Sequence, residues 1–128
     1  MLTRPEHGWA DVCIGDYRLR ISYIEPVPEM LLTAFIRALS TKGRADVTFD
    51  AEGWKWRLES DRVTRLTMME EAAETHTVAI SVRELAREAI DDIRRDLDAW
   101  SLWCCLPGRV ADNRALMIRL CNQLERLL

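Results

Sequence analysis

Between Val47 and Ala72 the chain reads VTFDAEGWKWRLESDRVTRLTMMEEA, and the fold turns on how its alternation is read. Ala45, Val47 and Phe49 alternate with Asp46, Thr48 and Asp50. Trp54, Trp56 and Leu58 then fall on one side, and Lys55, Arg57 and Glu59 on the other. A period of two marks a strand with one buried face. Asp50-Ala51-Glu52-Gly53 and Ser60-Asp61 supply turn residues between the runs. Both Trp54 and Trp56 are therefore expected on the buried face; the competing reading is an aromatic pair lining a groove. The alternation slips between Val63 and Leu66, which predicts a bulge or shift of register. Val78, Ile80 and Val82 give a last short strand.

Upstream, WADVCI-GD-YRLRISYI reads as a hairpin around Gly15-Asp16, since glycine accepts positive φ at little cost. Tyr17, Leu19, Ile21 and Tyr23 alternate with Arg18, Arg20 and Ser22. Pro26 and Pro28 stop that strand, and Pro28 suits the first turn of a helix. Leu32, Phe35, Ile36 and Leu39 form one apolar stripe, and Gly43 follows as a terminator.

Downstream, Ser81-Val82-Arg83-Glu84 fits a capping box. The helix it opens carries Ala86, Ala89, Ile90, Ile93, Leu97 and Trp100 at helical spacing, until Pro107-Gly108 breaks it. Asp112 or Asn113 is expected to cap a final helix with Met117, Leu120, Leu124 and Leu127 along one side.

The order is β-β-α-β-β-β-β-α-α. Short turns imply antiparallel neighbours, so the expected fold is α+β: one twisted antiparallel sheet of about six strands with helices packed on one face. With no linker or repeat, residues 1–128 read as one domain.

Charge is unevenly spread. The net charge is −3, yet residues 46–74 hold eight acidic against four basic side chains. An acidic middle disfavours nucleic acid, whose affinity comes from pairing phosphate with Lys and Arg, and favours a basic partner. No apolar run is long enough to span a membrane, and MLTRPEHGWADV lacks an apolar signal segment, so a cytoplasmic location is expected. Cys13, Cys104, Cys105 and Cys121 lack metal-ligand spacing and read as reduced core thiols. His7 and His76 have no evident catalytic partner, and Asp91-Asp92 reads as a solvated helix face. No catalytic residue, metal ligand or cofactor is expected.

Two stretches carry a resemblance. Ser22-Tyr23 closing the hairpin, Leu31-Leu32 in the first helix, Phe49-Asp50, and Trp54-x-Trp56 resemble a family of small bacterial proteins. Those proteins are similar in size and charge to immunity proteins of contact-dependent or polymorphic toxin systems. The resemblance covers roughly the first seventy residues. It implies a non-enzyme that binds and blocks one cognate toxin, by occluding its active site or its route to substrate. A basic nuclease-type toxin fits the acidic middle.

The expected partner-binding residues are Asp50, Glu52, Glu59, Asp61, Glu70, Glu71 and Glu74, which sit in turns or on polar strand faces. Glu88, Asp91, Asp92 and Asp98 offer a second face, ranked lower because Arg87, Arg94 and Arg95 can pair with it one turn away. The alternative function is a secretion chaperone or adaptor holding an effector segment in an apolar groove. An opening hairpin, in place of the usual opening helix, counts against it.

Overall fold

A computed structural model describes residues 1–69 and 73–128. In chain order the elements are β1 (Trp9–Ile14), β2 (Tyr17–Ser22), α1 (Val27–Thr41), β3 (Ala45–Asp50), β4 (Lys55–Ser60), β5 (Thr64–Met68), β6 (Glu74–Val78), α2 (Val82–Arg95), α3 (Leu97–Ser101) and α4 (Val110–Glu125).

The α+β class holds, but the strands form two antiparallel sheets instead of one. β1 pairs with β2 on one side and is bridged by the N-terminal segment at Leu2↔Val12 on the other, while β3-β4-β5-β6 form a separate four-stranded meander. Burial supplies the physical reason. The hairpin has an apolar face in Ala10, Val12, Ile14 and Ile21, and the meander has one in Val47, Phe49, Trp56, Leu58 and Leu66. Laid edge to edge, both faces would need helices to cover them. Packed face to face, each covers part of the other. Gly15 marks the close approach: a Cβ there would lie 2.9 Å from Cγ1 of Val78 on β6. Tyr17 stacks on His76 of β6 with ring centroids 4.5 Å apart. Helices α1, α2 and α4 complete the cover, and the buried apolar side chains form one cluster.

Within the meander the inner rows are Val47↔Leu58↔Leu66 and Phe49↔Trp56↔Met68, and the Phe49 and Trp56 ring centroids are 4.3 Å apart. The expected bulge near Val63 is absent. β5 pairs with β4 in unbroken register, and Val63 belongs to the preceding turn. The apparent slip arises because Thr64 holds an inner position. Its hydroxyl lies 2.8 Å from that of Ser60 and donates to the Ile80 carbonyl at 2.8 Å, so two buried polar groups satisfy one another.

The tryptophan expectation divides. Trp56 is 1% exposed, whereas Trp54 is 58% exposed. Trp54 precedes β4, after a turn in which Glu52 (φ 58°) and Gly53 (φ 111°) both take left-handed backbone. It keeps the parity of Trp56 but stands beyond the cover that the helices provide.

The capping box at Ser81 forms in both directions: Ser81 N–H donates to Glu84 Oε2 at 2.7 Å, and Glu84 N–H to Ser81 Oγ at 3.2 Å. The helix ends sooner than its apolar pattern suggests, at Arg95, and Trp100 is buried from the short α3. Neither Asp112 nor Asn113 caps α4, which starts at Val110. Asn113 instead donates to the carbonyls of Ser101 (2.9 Å) and Trp103 (3.3 Å), fastening the α3–α4 connection. The four thiols are free, but only Cys121 is a core residue; Cys104 is exposed. No helix among the described residues is long and apolar enough to cross a membrane.

Truncating Trp56 to Ala should cost about 3–5 kcal/mol of stability, as expected for a large core side chain. Trp54→Ala should stay within about 0.5 kcal/mol, as surface substitutions usually do. Urea unfolding followed by circular dichroism checks both; equal destabilisation would place the two rings in one environment.

Candidate functional site

The seven candidate acids do not form one patch. Glu59 and Asp61 lie toward one end of the meander, while Asp50, Glu52 and Glu74 lie at the other, since Asp50↔Lys55 and Met68↔Glu74 are end pairs of the ladder. Glu70 and Glu71 fall outside the described residues.

Most of these carboxylates are also engaged. On the outer face of the sheet Arg57 clasps Asp46 through Nε (2.8 Å) and Nη2, and reaches Glu59 at 3.8 Å. Arg44 Nη1 lies 3.0 Å from Glu59, and its Nε 3.4 Å from Asp61. This face is a mixed-charge lattice, in which Asp46, Glu59 and Asp61 are each paired with an arginine, Arg44 being the one supplied from outside residues 46–74. Hydrogen bonding from Arg57 holds the Asp46 carboxyl below its ordinary value, and the Val63 amide does the same for Asp61.

At the opposite end Asp50 and Glu52 shape a turn. Asp50 Oδ1 accepts the Gly53 amide at 3.1 Å, and the Asp50 amide donates to the Glu25 carboxylate. The Ser22 hydroxyl donates to Glu52 Oε2 at 2.8 Å, tying the end of β2 to the β3–β4 turn. Glu74 has a side chain 77% exposed, 3.6 Å from His76. Of the described candidates it is the one most available to another molecule.

Between this turn and the hairpin runs an apolar groove of about 500 Å³. Trp9, Leu19, Trp54, Trp56 and Met68 line it, with Glu52, Arg18 and Arg20 also in its walls. Arg20 stands over the Trp9 ring, 5.7 Å from its centroid, and both arginines pair with Asp11 (3.2 and 3.3 Å). Alternation alone assigns Trp54 and Trp56 to the core and passes over Trp9. A signal is nevertheless present: Trp9 has the opposite parity to Ala10, Val12 and Ile14, which places it off the apolar stripe.

On the second candidate face Asp92 is tied down, whereas the Glu88 and Asp98 side chains remain 51% and 96% exposed. Of the arginines expected to pair there one turn away, Arg95 does so and Arg94 turns to α4. Asp92 accepts the Leu2 amide at 2.7 Å and pairs with Arg95 at 3.0 Å. Arg94 reaches across to Glu125 and Asn122 of α4, and Arg114 to Asp98. Burial pushes the Cys121 thiol up to about 11 and the Cys104 thiol upward, so neither is a thiolate at neutral pH. Among the described residues no three His, Cys, Asp or Glu side chains cluster as a metal site would require. Compared with known proteins, the chain matches no family model, and neither a curated protein nor a solved structure is significantly similar to it.

Asp46, Asp61, Glu84 and Glu125 all have carboxyls depressed in the folded state. Depressed carboxyls stabilise the fold above their unfolded values, near pH 4, and lose that contribution as pH falls through the folded ones. The melting temperature should therefore drop on acidification below about pH 4, less steeply in Asp46→Asn and at high salt. A melting temperature independent of pH in that range would mean these pairs do not form in solution.

Proposed function

We infer that the protein is a non-enzymatic inhibitor of the immunity type, which docks one cognate toxin protein through the tryptophan-lined end of its meander. The observation that carries this reading is Trp54, a large ring 58% exposed on a turn with two left-handed residues and a hydrogen bond back to Ser22. An exposed indole on a braced turn is the usual anchor of a protein interface, since it brings a large apolar area at little cost in conformational entropy. Around it Trp9, Leu19 and Met68 supply the apolar centre, Glu52 and the Asp11-paired Arg18 and Arg20 stand in the walls, and Asp50 and Glu74 lie at the same end of the sheet. Glu70 and Glu71, outside the described residues, belong to the same proposal through their place in the sequence.

The mechanism is occlusion. A basic nuclease-type toxin gathers phosphate in a cationic site, and the acids at this end of the sheet, Asp50, Glu52 and Glu74, compete for that site while steering the encounter. Glu59 and Asp61 contribute less to this surface, because Arg44 and its neighbours hold them at the other end. The adaptor reading keeps one point in its favour: the groove itself is apolar, as a bound amphipathic segment would require.

The test is the protein encoded immediately upstream of this gene. Co-expression should restore growth to cells producing that protein, and purified partners should bind more slowly as ionic strength rises. Trp54→Ala should weaken binding by at least about tenfold, as removal of an interface anchor does. Glu74→Lys, and Glu70→Lys with Glu71→Lys, should lower the association rate with little change in melting temperature. Binding that ignores salt and every acidic substitution, yet needs Trp54, would replace this reading with the adaptor.

A further inference from the structure

The end of the meander remote from Trp54 gathers charge of the opposite sign. A groove of about 910 Å³ lies between the α1–β3 connection, the β4–β5 turn and the first turn of α2. Its walls carry Lys42, Arg44, Arg62, Arg65 and Arg83 against a single carboxylate, Asp61. Five cations less one anion leave +4 at this place, on a chain whose net charge is −3. Including Glu59 and Glu84, which stand beside the groove, the balance is +2, and one of the five cations is itself engaged, Arg83 Nη1 donating to the carbonyls of Leu127 (3.4 Å) and Leu128 (3.1 Å).

These acids are committed. Asp61 accepts the Val63 amide at 3.3 Å while bracing Arg44 (3.4 Å) and Arg65 (3.9 Å). Glu59 is taken by Arg44 and Arg57, and Glu84 by the Ser81 amide. Among the described residues no carboxylate lies within ion-pair distance of Lys42 or Arg62. A second observation points the same way: Arg65 Nη1 is shielded from solvent, and its nearest carboxylate, Asp61 at 3.9 Å, stands beyond hydrogen-bond distance, so among the described residues it has a charge partner but no close acceptor. Buried donors are nearly always paired, so one left open beside a cluster of cations marks where an acceptor belongs.

The frame is stiff enough to hold the cluster together. The amides of Lys42 and Gly43 both return to the Ala38 carbonyl, closing α1 in a left-handed cap. The Val82 amide donates to the Asp61 carbonyl at 2.8 Å, fastening the β4–β5 turn to the start of α2.

We propose that this groove binds a multiply charged phosphate-class anion, a small phosphorylated solute of nucleotide size. Guanidinium forks match phosphate oxygens two at a time, and four of the five cations are arginines. Leu39, Val63 and Val82 give the groove an apolar wall for the uncharged part of such a ligand. Its volume falls within the range usual for small-molecule sites. This site is separate from the tryptophan-lined groove, and its occupancy does not depend on the toxin partner.

Inorganic tripolyphosphate is the probe, titrated calorimetrically into the full chain at constant ionic strength. Saturable one-site binding and a raised melting temperature are expected. Arg62→Gln combined with Lys42→Asn removes two unpaired charges while keeping a residue that accepts left-handed backbone. That variant should fold as the parent does and bind at least about tenfold more weakly, since one charge-assisted hydrogen bond is worth that order. Lys55→Gln, at the other end of the sheet, should bind unchanged. No saturable heat, or equal weakening by Lys55→Gln, overturns the site. Sedimentation with anionic phospholipid vesicles, or retention of a single-stranded oligonucleotide, without tripolyphosphate binding also overturns it, in favour of a surface for extended polyanions.

Discussion

Two apolar faces that cannot both be left to helices determine this structure. The hairpin brings Val12, Ile14 and Ile21, and the meander brings Phe49, Trp56, Leu58 and Leu66. The hydrophobic effect rewards whichever arrangement removes the most of this surface from water. With the hairpin laid on the sheet, helices α1, α2 and α4 need to cover only what remains. The separation into two sheets, the close approach at Gly15 and the Tyr17–His76 stack all follow from that arrangement.

One residue joins the layers at the point where the chain leaves the hairpin. The Glu25 carboxylate accepts the Asp50 amide at the end of β3, and its backbone carbonyl accepts the Trp103 indole N–H at 2.8 Å. A single connecting residue thus links the hairpin exit, the meander and the α3–α4 connection. With the Ser22–Glu52 hydrogen bond beside it, the turn that carries Trp54 is fixed on one side while the ring stays open on the other. The aromatic end is accordingly a braced surface.

Local signals in the sequence are reliable wherever neighbours in the chain are also neighbours in space. The Gly15-Asp16 turn, the capping box at Ser81 and the strand parity of Val47, Phe49, Trp56 and Leu58 are of this kind. Expectation and structure part where distant segments compete. Thr64 looks like a slip because its partners, Ser60 and Ile80, complete an inner position that a polar side chain could not hold alone. Trp54 has the parity of a core residue, but parity says nothing about how far along a strand the cover extends. The charge count misleads for a related reason. Residues 46–74 are acidic along the chain, yet their own Arg57 and Arg65 pair with those acids, and Arg44, Lys42 and Arg83 approach from outside the segment. Composition of a segment fixes its total charge and leaves open where the field points.

The meander strands run from the aromatic end of the sheet to the basic one, and β4 spans six residues between them. At about 3.3 Å per residue the two ends stand roughly 20 Å apart. Mobile ions damp electrostatic influence over about 8 Å at physiological ionic strength. Charge placed at one end is therefore nearly invisible to the other, and any communication between them has to be mechanical, carried by strand register and the packing of Trp56, Leu58 and Ser60. The strands act as an insulating spacer, on which two surfaces of different character can be altered independently.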